Sequence, residues 1–228
     1  MKPLAVDLFC GLGGWAHGLL AEGFDVIGFD IERHEYGDEK YPGQMVIQDV
    51  RTLHGSQFKD AALIVASPPC QAYSYRAMPW KRAKALPPPD NELFDACFRI
   101  QREACEAAGR HIPMVVENVR GAQKWVGRSR WNYGSFHLWG DVPALMPMSS
   151  AIKNNGGSWF AIANNTVSGH SRNPVHAMCG MKAMIGKRGD YSAMQMMASK
   201  SPIRKAASAM IAKIPLPLAQ HIARVYRP

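Results

Sequence analysis

Acidic residues are nearly missing from the second half of this sequence. Residues 120–228 hold 15 Lys+Arg against 2 Asp+Glu, whereas residues 1–119 hold 12 against 16, in a chain of net charge +9. A solubilising surface mixes both signs, so a one-sided half points to a polyanion, and nucleic acid is the partner expected. Paired cysteines are missing as well. Cys10, Cys70, Cys97, Cys105 and Cys179 are odd in number and include no C-x-x-C pair, which argues against a disulfide framework and a thiolate zinc cage. His170, His176 and Cys179 have no fourth ligand near them and read as loop residues, so no metal is expected. No apolar run is long enough to span a bilayer, and no signal peptide precedes the strand pattern at Leu4. A cytoplasmic protein without membrane contact is expected. No internal repeat is visible.

The 228 residues suffice for one domain, or one domain with an inserted lobe, burying roughly 70% of the unfolded surface without staples. Leu4 to Phe9 reads as a first strand, followed by Cys10-Gly11-Leu12-Gly13-Gly14 and a helix carrying Trp15, Leu19 and Leu20. Strand, glycine loop and helix open a nucleotide-binding α/β unit, in which backbone approaches the ligand and the helix start offers free N–H groups. Alone, the glycines would also pass for a dinucleotide fingerprint. The second strand, about Asp25 to Phe29, ends at Asp30-Ile31-Glu32. A carboxylate about 20 residues past such a loop is the ribose-hydroxyl partner of nucleotide folds, which selects Asp30, with Ile31 against an adenine face. Met45 to Ile47 is a short third strand, and Asp49 beyond it is a candidate acceptor for an adenine amino group.

Leu63 to Ala66 is the fourth strand, and Ser67-Pro68-Pro69-Cys70-Gln71 follows it. Two prolines stiffen the turn, and a stiff turn beyond a buried strand holds a thiol in place at the mouth of a cleft. From Ala72 to Asp90 no periodicity holds. Arg76, Lys81, Arg82 and Lys84 alternate there with Tyr73, Tyr75 and Trp80, as in a lid that closes on a phosphate backbone. Leu93 to Ala108 is helical, with Leu93, Ala96, Cys97, Ile100, Ala104 and Ala107 on one face. Pro113 to Val116 is the fifth strand, with Glu117-Asn118-Val119 at its exit, and Gly134 to Gly140 reads as another. From Asp141 to about Lys200 the pattern is irregular. Ser201 to Lys213 reads as a basic helix, and Leu216 to Tyr226 as a last helix with Leu218, Ile222 and Val225 inward. In an open parallel sheet, ligands collect at the carboxyl ends of the strands. Phe9, the glycines, Asp30, Asp49, Cys70 and Glu117 all fall at such ends.

In Asp7-Leu8-Phe9-Cys10-Gly11-Leu12-Gly13-Gly14, in Pro69-Cys70-Gln71 and in Glu117-Asn118-Val119 the chain resembles the DNA cytosine-5 methyltransferases, with the order and spacing of that family. The resemblance covers residues 3–140 and the C-terminal helices. It implies an α/β fold of the Rossmann-like S-adenosylmethionine-dependent type: a mostly parallel sheet with helices on both faces, plus a small irregular target-recognition lobe. The expected division is a catalytic domain over 1–140, the lobe over 141–200, and helices over 201–228 that return to the catalytic domain. S-Adenosyl-L-methionine would be held by Phe9, Gly11, Leu12, Gly13, Gly14, Asp30, Ile31, Asp49 and Val50, with Pro69 and Leu93 nearby. The family's Gln-x-Arg-x-Arg block is not evident, and Arg128 and Arg130 of Arg128-Ser129-Arg130 are the candidates to stand in for it. The family's Gly-Asn pair before the last helix is absent, Ala212-Lys213 taking the earlier positions. The short variable lobe resembles compact phage and prokaryotic members.

The implied chemistry suits these residues. Cytosine C5 is a poor nucleophile until something adds to C6. Cys70 as thiolate is the candidate, and nearby positive charge favours that form. Glu117 would donate a proton at N3. C6 is shielded inside a duplex, so the base must be flipped out at roughly a few kcal/mol, offset by phosphate contacts from Arg76, Lys81, Arg82 and Lys84. The expected partner is double-stranded DNA, the expected state a monomer, and a cognate restriction nuclease a possible companion. An RNA or tRNA cytosine methyltransferase on the same fold and a non-catalytic DNA-binding relative are the alternatives. A dehydrogenase leaves Pro69-Cys70-Gln71 and Glu117-Asn118-Val119 without a role.

Overall fold

The five apolar runs become the parallel part of a seven-stranded sheet. A computed structural model describes residues 2–74, 85–147, 205–206, 209–210 and 212–228. The strands are β1 (Leu4–Leu8), β2 (Asp25–Asp30), β3 (Gln44–Ile47), β4 (Leu63–Ala66), β5 (Met114–Asn118), β6 (Trp131–Tyr133) and β7 (Phe136–Gly140), in the order β3-β2-β1-β4-β5-β7-β6. β1 to β5 pair in parallel, β7 runs antiparallel to β5, and β6 pairs antiparallel with β7. β4 and β5 are buried at every position, as continuous apolar runs with both faces covered should be. The architecture is α/β, as expected.

Helices α1 (Gly14–Ala21), α2 (Glu92–Ala108), α3 (Gln123–Val126) and α4 (Leu216–Tyr226) complete the described elements, with short 3-10 turns such as Val50–Thr52 and Gly55–Phe58. One sheet face, built from Val6, Leu8, Ile64, Ala66, Met114 and Val116, is covered by Phe94, Cys97, Ile100 and Ala104 of α2. Strand alternation turns Asp7 to the other face, beneath α1. There α1 and α4 cross closely at Gly18, where a Cβ would overlap Ala219 and the Gln220 nitrogen. Arg224 and Gln220 of α4 bind Glu22 just past α1, at 2.7 and 3.0 Å.

Three details depart from expectation. Gly134 to Gly140 is one arm of a hairpin. The other arm, β6, is only three residues long with Trp131 and Asn132 exposed, so it carries no apolar pattern; Gly134, left-handed at φ 61°, and Ser135 form the two-residue turn. On α4 the buried residues are Leu218, Ala219, Ile222 and Ala223, and Val225 is 46% exposed, because the Gly18–Ala219 contact rotates the inward face toward Ala219. On α2 Phe94 is buried and Ala107 exposed, one residue from the helix end at which Gly109 turns the chain away.

The chain divides into two compact units, one of Met1–Ser74, Pro88–Ser150 and Lys213–Pro228, the other of Tyr75–Pro87 and Ala151–Ala212. Every described strand lies in the first. Arg76, Lys81, Arg82 and Lys84, most of the 141–200 segment and most of the basic helix at 201–213 lie outside the described residues. Among the described residues no helix is long and apolar enough to cross a membrane.

Candidate active site

From β1 the strand order runs through β2 to β3 on one side and through β4 to β5 on the other, so the direction of progression reverses between β1 and β4. A crevice opens at such a switch point, outside the carboxyl ends of the strands. The loop after β1 carries the glycines and the loop after β4 carries Cys70, so the two flank this crevice. A hydrogen bond joins them: Trp15 Nε1 at the start of α1 donates to Ser67 Oγ, 3.0 Å away.

The β1 loop is tightly determined. Phe9 is left-handed at φ 58°, a conformation that costs a bulky residue about 1–3 kcal/mol. The Cys10 N–H donates to Phe29 O at 3.1 Å, and the Gly13 N–H to Cys10 O at 2.7 Å. Gly13, at φ 71°, turns the chain into α1. Leu12 and Gly14 are buried and Gly11 is half-buried. The Gly11 N–H donates to Asp30 Oδ2 at 2.9 Å, which ties the loop to the end of β2.

Asp30 is therefore more than a free ligand for a ribose. It is 7% exposed, and its Oδ1 accepts from the Ile31 N–H at 2.8 Å and the Glu32 N–H at 3.4 Å. Burial pushes its carboxyl up, but the His34 contact and the Gly11 and Glu32 N–H groups outweigh that and hold it below the usual carboxylate range. Oδ2, which among the described residues accepts only from Gly11, retains lone-pair capacity for a hydroxyl. Ile31 beside it is 66% exposed, a large apolar side chain left bare at the crevice. A buried carboxylate, a bare aliphatic face and backbone N–H groups at a helix start suit the ribose, base and charged tail of a nucleoside cofactor.

Asp49 is engaged elsewhere. It caps the turn Val50–Thr52 through the Arg51 N–H at 2.9 Å, and the Arg51 guanidinium grips both of its oxygens, Nη2 lying 2.6 Å from Oδ2. Arg51 also reaches Glu92 at 3.3 Å, at the start of α2. This bridge brings Leu93, half-buried, toward the β3 exit, while Val50 is 1% exposed beneath the turn. An adenine amino group would share Asp49 with Arg51.

The loop after β4 is held on three sides. The Ser67 N–H extends the ladder to Leu8 O at 3.1 Å. Asn118 at the end of β5 donates from Nδ2 to Pro68 O at 3.0 Å, while its Oδ1 accepts from the Val119 N–H at 2.8 Å. The Cys70 carbonyl accepts from the Tyr73 N–H at 3.0 Å and from Ser74 Oγ at 2.9 Å. Tyr73, expected in the lid, is instead a core anchor: it is 3% exposed, its hydroxyl donates to Asn91 at 2.9 Å, and burial pushes that hydroxyl up to about 12. Cys70 is half-buried and Pro69 exposed.

Glu117, 4% exposed, lies on the neighbouring strand. β4 and β5 pair Ala66 with Val116, so the next step brings Ser67 beside Glu117. The thiol loop and the carboxyl thus leave adjacent strand ends. β7 pairs Leu138 with Glu117, and the Arg130 N–H donates to Leu138 O at 2.9 Å. Trp131, opposite Leu138, accordingly sits level with Glu117 and two strand spacings away, about 10 Å, and Arg130 is the residue just before it. Arg128 and Arg130 are both exposed, and Ser129 between them is fixed by Gln123 and His137.

Four positioning residues carried little sequence signal. Asn118 stands out in the sequence only as part of Glu117-Asn118-Val119. Ser67 and Trp15 gave no sign of their bond, and Arg51 was one charge among many. Among the described residues no cluster of three or more His, Cys, Asp or Glu is arranged to hold a metal ion.

The family model for the C-5 cytosine-specific DNA methylases matches residues 4–125. No curated protein matches. Among solved structures, a candidate DNA modification methyltransferase encoded within an E. coli prophage is 24% identical, over 55% of this chain and 34% of that one, with a TM-score of 0.39. The Dnmt2 methyltransferase of S. pombe is 17% identical over 54% of this chain and 36% of that one, with a TM-score of 0.35. The Entamoeba histolytica methyltransferase EhMeth is 10% identical over 97% of both chains, with a TM-score of 0.47. The chain aligns with about a third of the length of the first two.

Proposed function

The chain belongs to the C-5 cytosine-specific DNA methylase family, and on that premise we propose that it transfers a methyl group from S-adenosyl-L-methionine to C5 of a cytosine flipped out of duplex DNA. The observation that carries this reading is the junction of β4 and β5. The Cys70 loop and Glu117 leave paired strands, and Asn118 pins one to the other through Pro68 O at 3.0 Å.

S-Adenosylmethionine, when bound, supplies an electrophilic methyl group on a sulfonium centre. Phe9, the Gly11–Gly14 loop, Asp30, Ile31, Asp49 and Val50 would hold it, with Pro69 and Leu93 at the edge. Cys70 Sγ, as thiolate, bonds to cytosine C6, and the displaced electron pair moves toward N3, where Glu117 donates a proton. C5 is then enamine-like and accepts the methyl group. Loss of the C5 proton and expulsion of Cys70 restore the ring. Arg130 would support the pyrimidine, with Arg128 beside it. Arg76, Lys81, Arg82 and Lys84 would bind phosphates, and residues 141–200 would read the target. The protein works as a monomer in the cytoplasm of a prokaryote or of a phage-infected cell, beside a restriction nuclease where one is encoded.

The test supplies radiolabelled S-adenosylmethionine with duplex DNA, single-stranded DNA or tRNA and identifies the product by mass spectrometry. Incorporation into duplex as 5-methylcytosine is expected. Label on tRNA alone assigns the enzyme to RNA, and no measurable cofactor binding leaves a non-catalytic DNA-binding relative.

A further inference from the structure

Tyr41 lies in the connection between β2 and β3, which the cofactor chemistry leaves without a task. It is 8% exposed. A Cβ at Gly28 of β2 would overlap the Tyr41 phenol carbon and oxygen, and one at Gly13 would lie 3.0 Å from Tyr41 Cδ2 and overlap Pro42. The ring thus fills space that side chains at two glycines would need, one on the sheet and one in the loop that turns into α1. Its hydroxyl donates to Asp7 Oδ2 at 3.3 Å, and Asp7 is the β1 residue paired with Gly28. Burial pushes the Asp7 carboxyl well above its usual range, against the Tyr41 hydrogen bond and with the Asp30 charge adding to the rise. Burial also pushes the Tyr41 hydroxyl up, so it keeps its proton and remains a donor. Two residues earlier, Glu39 holds Lys213 at 2.9 Å, and Ile214 packs on Gly14. The connection therefore bears on both ends of the glycine loop.

We propose that Tyr41 is a positioning residue for the Cys10–Gly14 loop, wedging it against β2 in the shape that receives the cofactor; this rests on the cofactor reading above. The ring sets the distance between loop and sheet, and the hydroxyl fixes the ring's rotation.

Two variants separate these parts. Tyr41→Phe keeps the wedge and loses the donor; Tyr41→Ala loses both. In cofactor-free protein, amide exchange at Gly11, Leu12 and Gly13 should quicken about threefold in the first and about tenfold or more in the second. The KM for S-adenosylmethionine should rise about fivefold in Tyr41→Phe, the scale of one net hydrogen bond, with kcat on duplex DNA within about twofold. Unchanged amide exchange and KM, or a lost kcat at unchanged KM, would overturn the proposal. If Tyr41→Ala does not fold, Tyr41→Phe decides alone. Wild-type protein that takes up no cofactor sinks the cofactor reading and the role of Tyr41 with it. Wild-type uptake with unaffected variants sinks Tyr41 only.

Discussion

Asp30→Asn probes the point at which the glycine loop is tied to the sheet. The carboxylate accepts from three backbone N–H groups, Gly11 on Oδ2 and Ile31 and Glu32 on Oδ1. Asparagine keeps one carbonyl oxygen and presents an NH2 group to the other side, donor against donor. Hydrogen bonds to a charged acceptor contribute about 1.5–3 kcal/mol each, and a buried N–H left unmet costs about 1–3 kcal/mol. Partial relaxation of an edge loop reduces these, so a loss of about 2–3 kcal/mol is expected. With a urea slope of about 2 kcal/mol/M, that moves the unfolding midpoint down by about 1 M at pH 7. The sign with pH follows from Asp30's depressed folded-state value. Its stabilisation is fully present above the ordinary carboxylate range and is lost as pH falls through the folded value. The gap between wild type and variant should therefore narrow on acidification below about pH 4. An equal midpoint at pH 7, or a gap that persists at low pH, would refute the account of Asp30 as the tie.

Three further outcomes are expected. Gly18→Ala gains about 1 kcal/mol of helix propensity but forces a methyl group onto Ala219 and the Gln220 nitrogen, an overpacking cost of about 1–3 kcal/mol; calorimetry should show a Tm lower by about 2–4 °C. Asn118→Ala leaves Pro68 O and the Val119 N–H unmet, so methyl transfer should fall by about tenfold or more while cofactor affinity measured by calorimetry stays within about twofold. Cys70→Ala should abolish transfer and keep cofactor and duplex binding, read by filter binding and titration.

Much of the fold was legible because its strands are buried on both faces. Leu63–Ala66 and Met114–Val116 are continuous apolar runs, and such runs cannot sit at an edge. β6 was not legible, since Trp131-Asn132-Tyr133 is an edge arm with two exposed residues and is recognisable only through Gly134-Ser135. The residues at strand ends stood out because their chemistry is conspicuous against apolar neighbours. What they bind within the protein did not, because Asp30 with Gly11 and Asp49 with Arg51 depend on where loops close in space. Val225 shows the same limit: periodicity places it near the inward face of α4, but the Gly18–Ala219 contact sets the rotation.

The central claim is that the Cys70 sulfur bonds to cytosine C6. The direct measurement uses duplex DNA carrying 5-fluorocytosine, in which fluorine at C5 cannot leave as a proton does, so the thiol cannot be expelled after methylation. Incubation with S-adenosylmethionine should give a protein–DNA species that survives denaturation, with the nucleotide mapped by peptide mass spectrometry to Cys70 and no such species from Cys70→Ala. A methylated product without any adduct, or an adduct mapped to another residue, would contradict it.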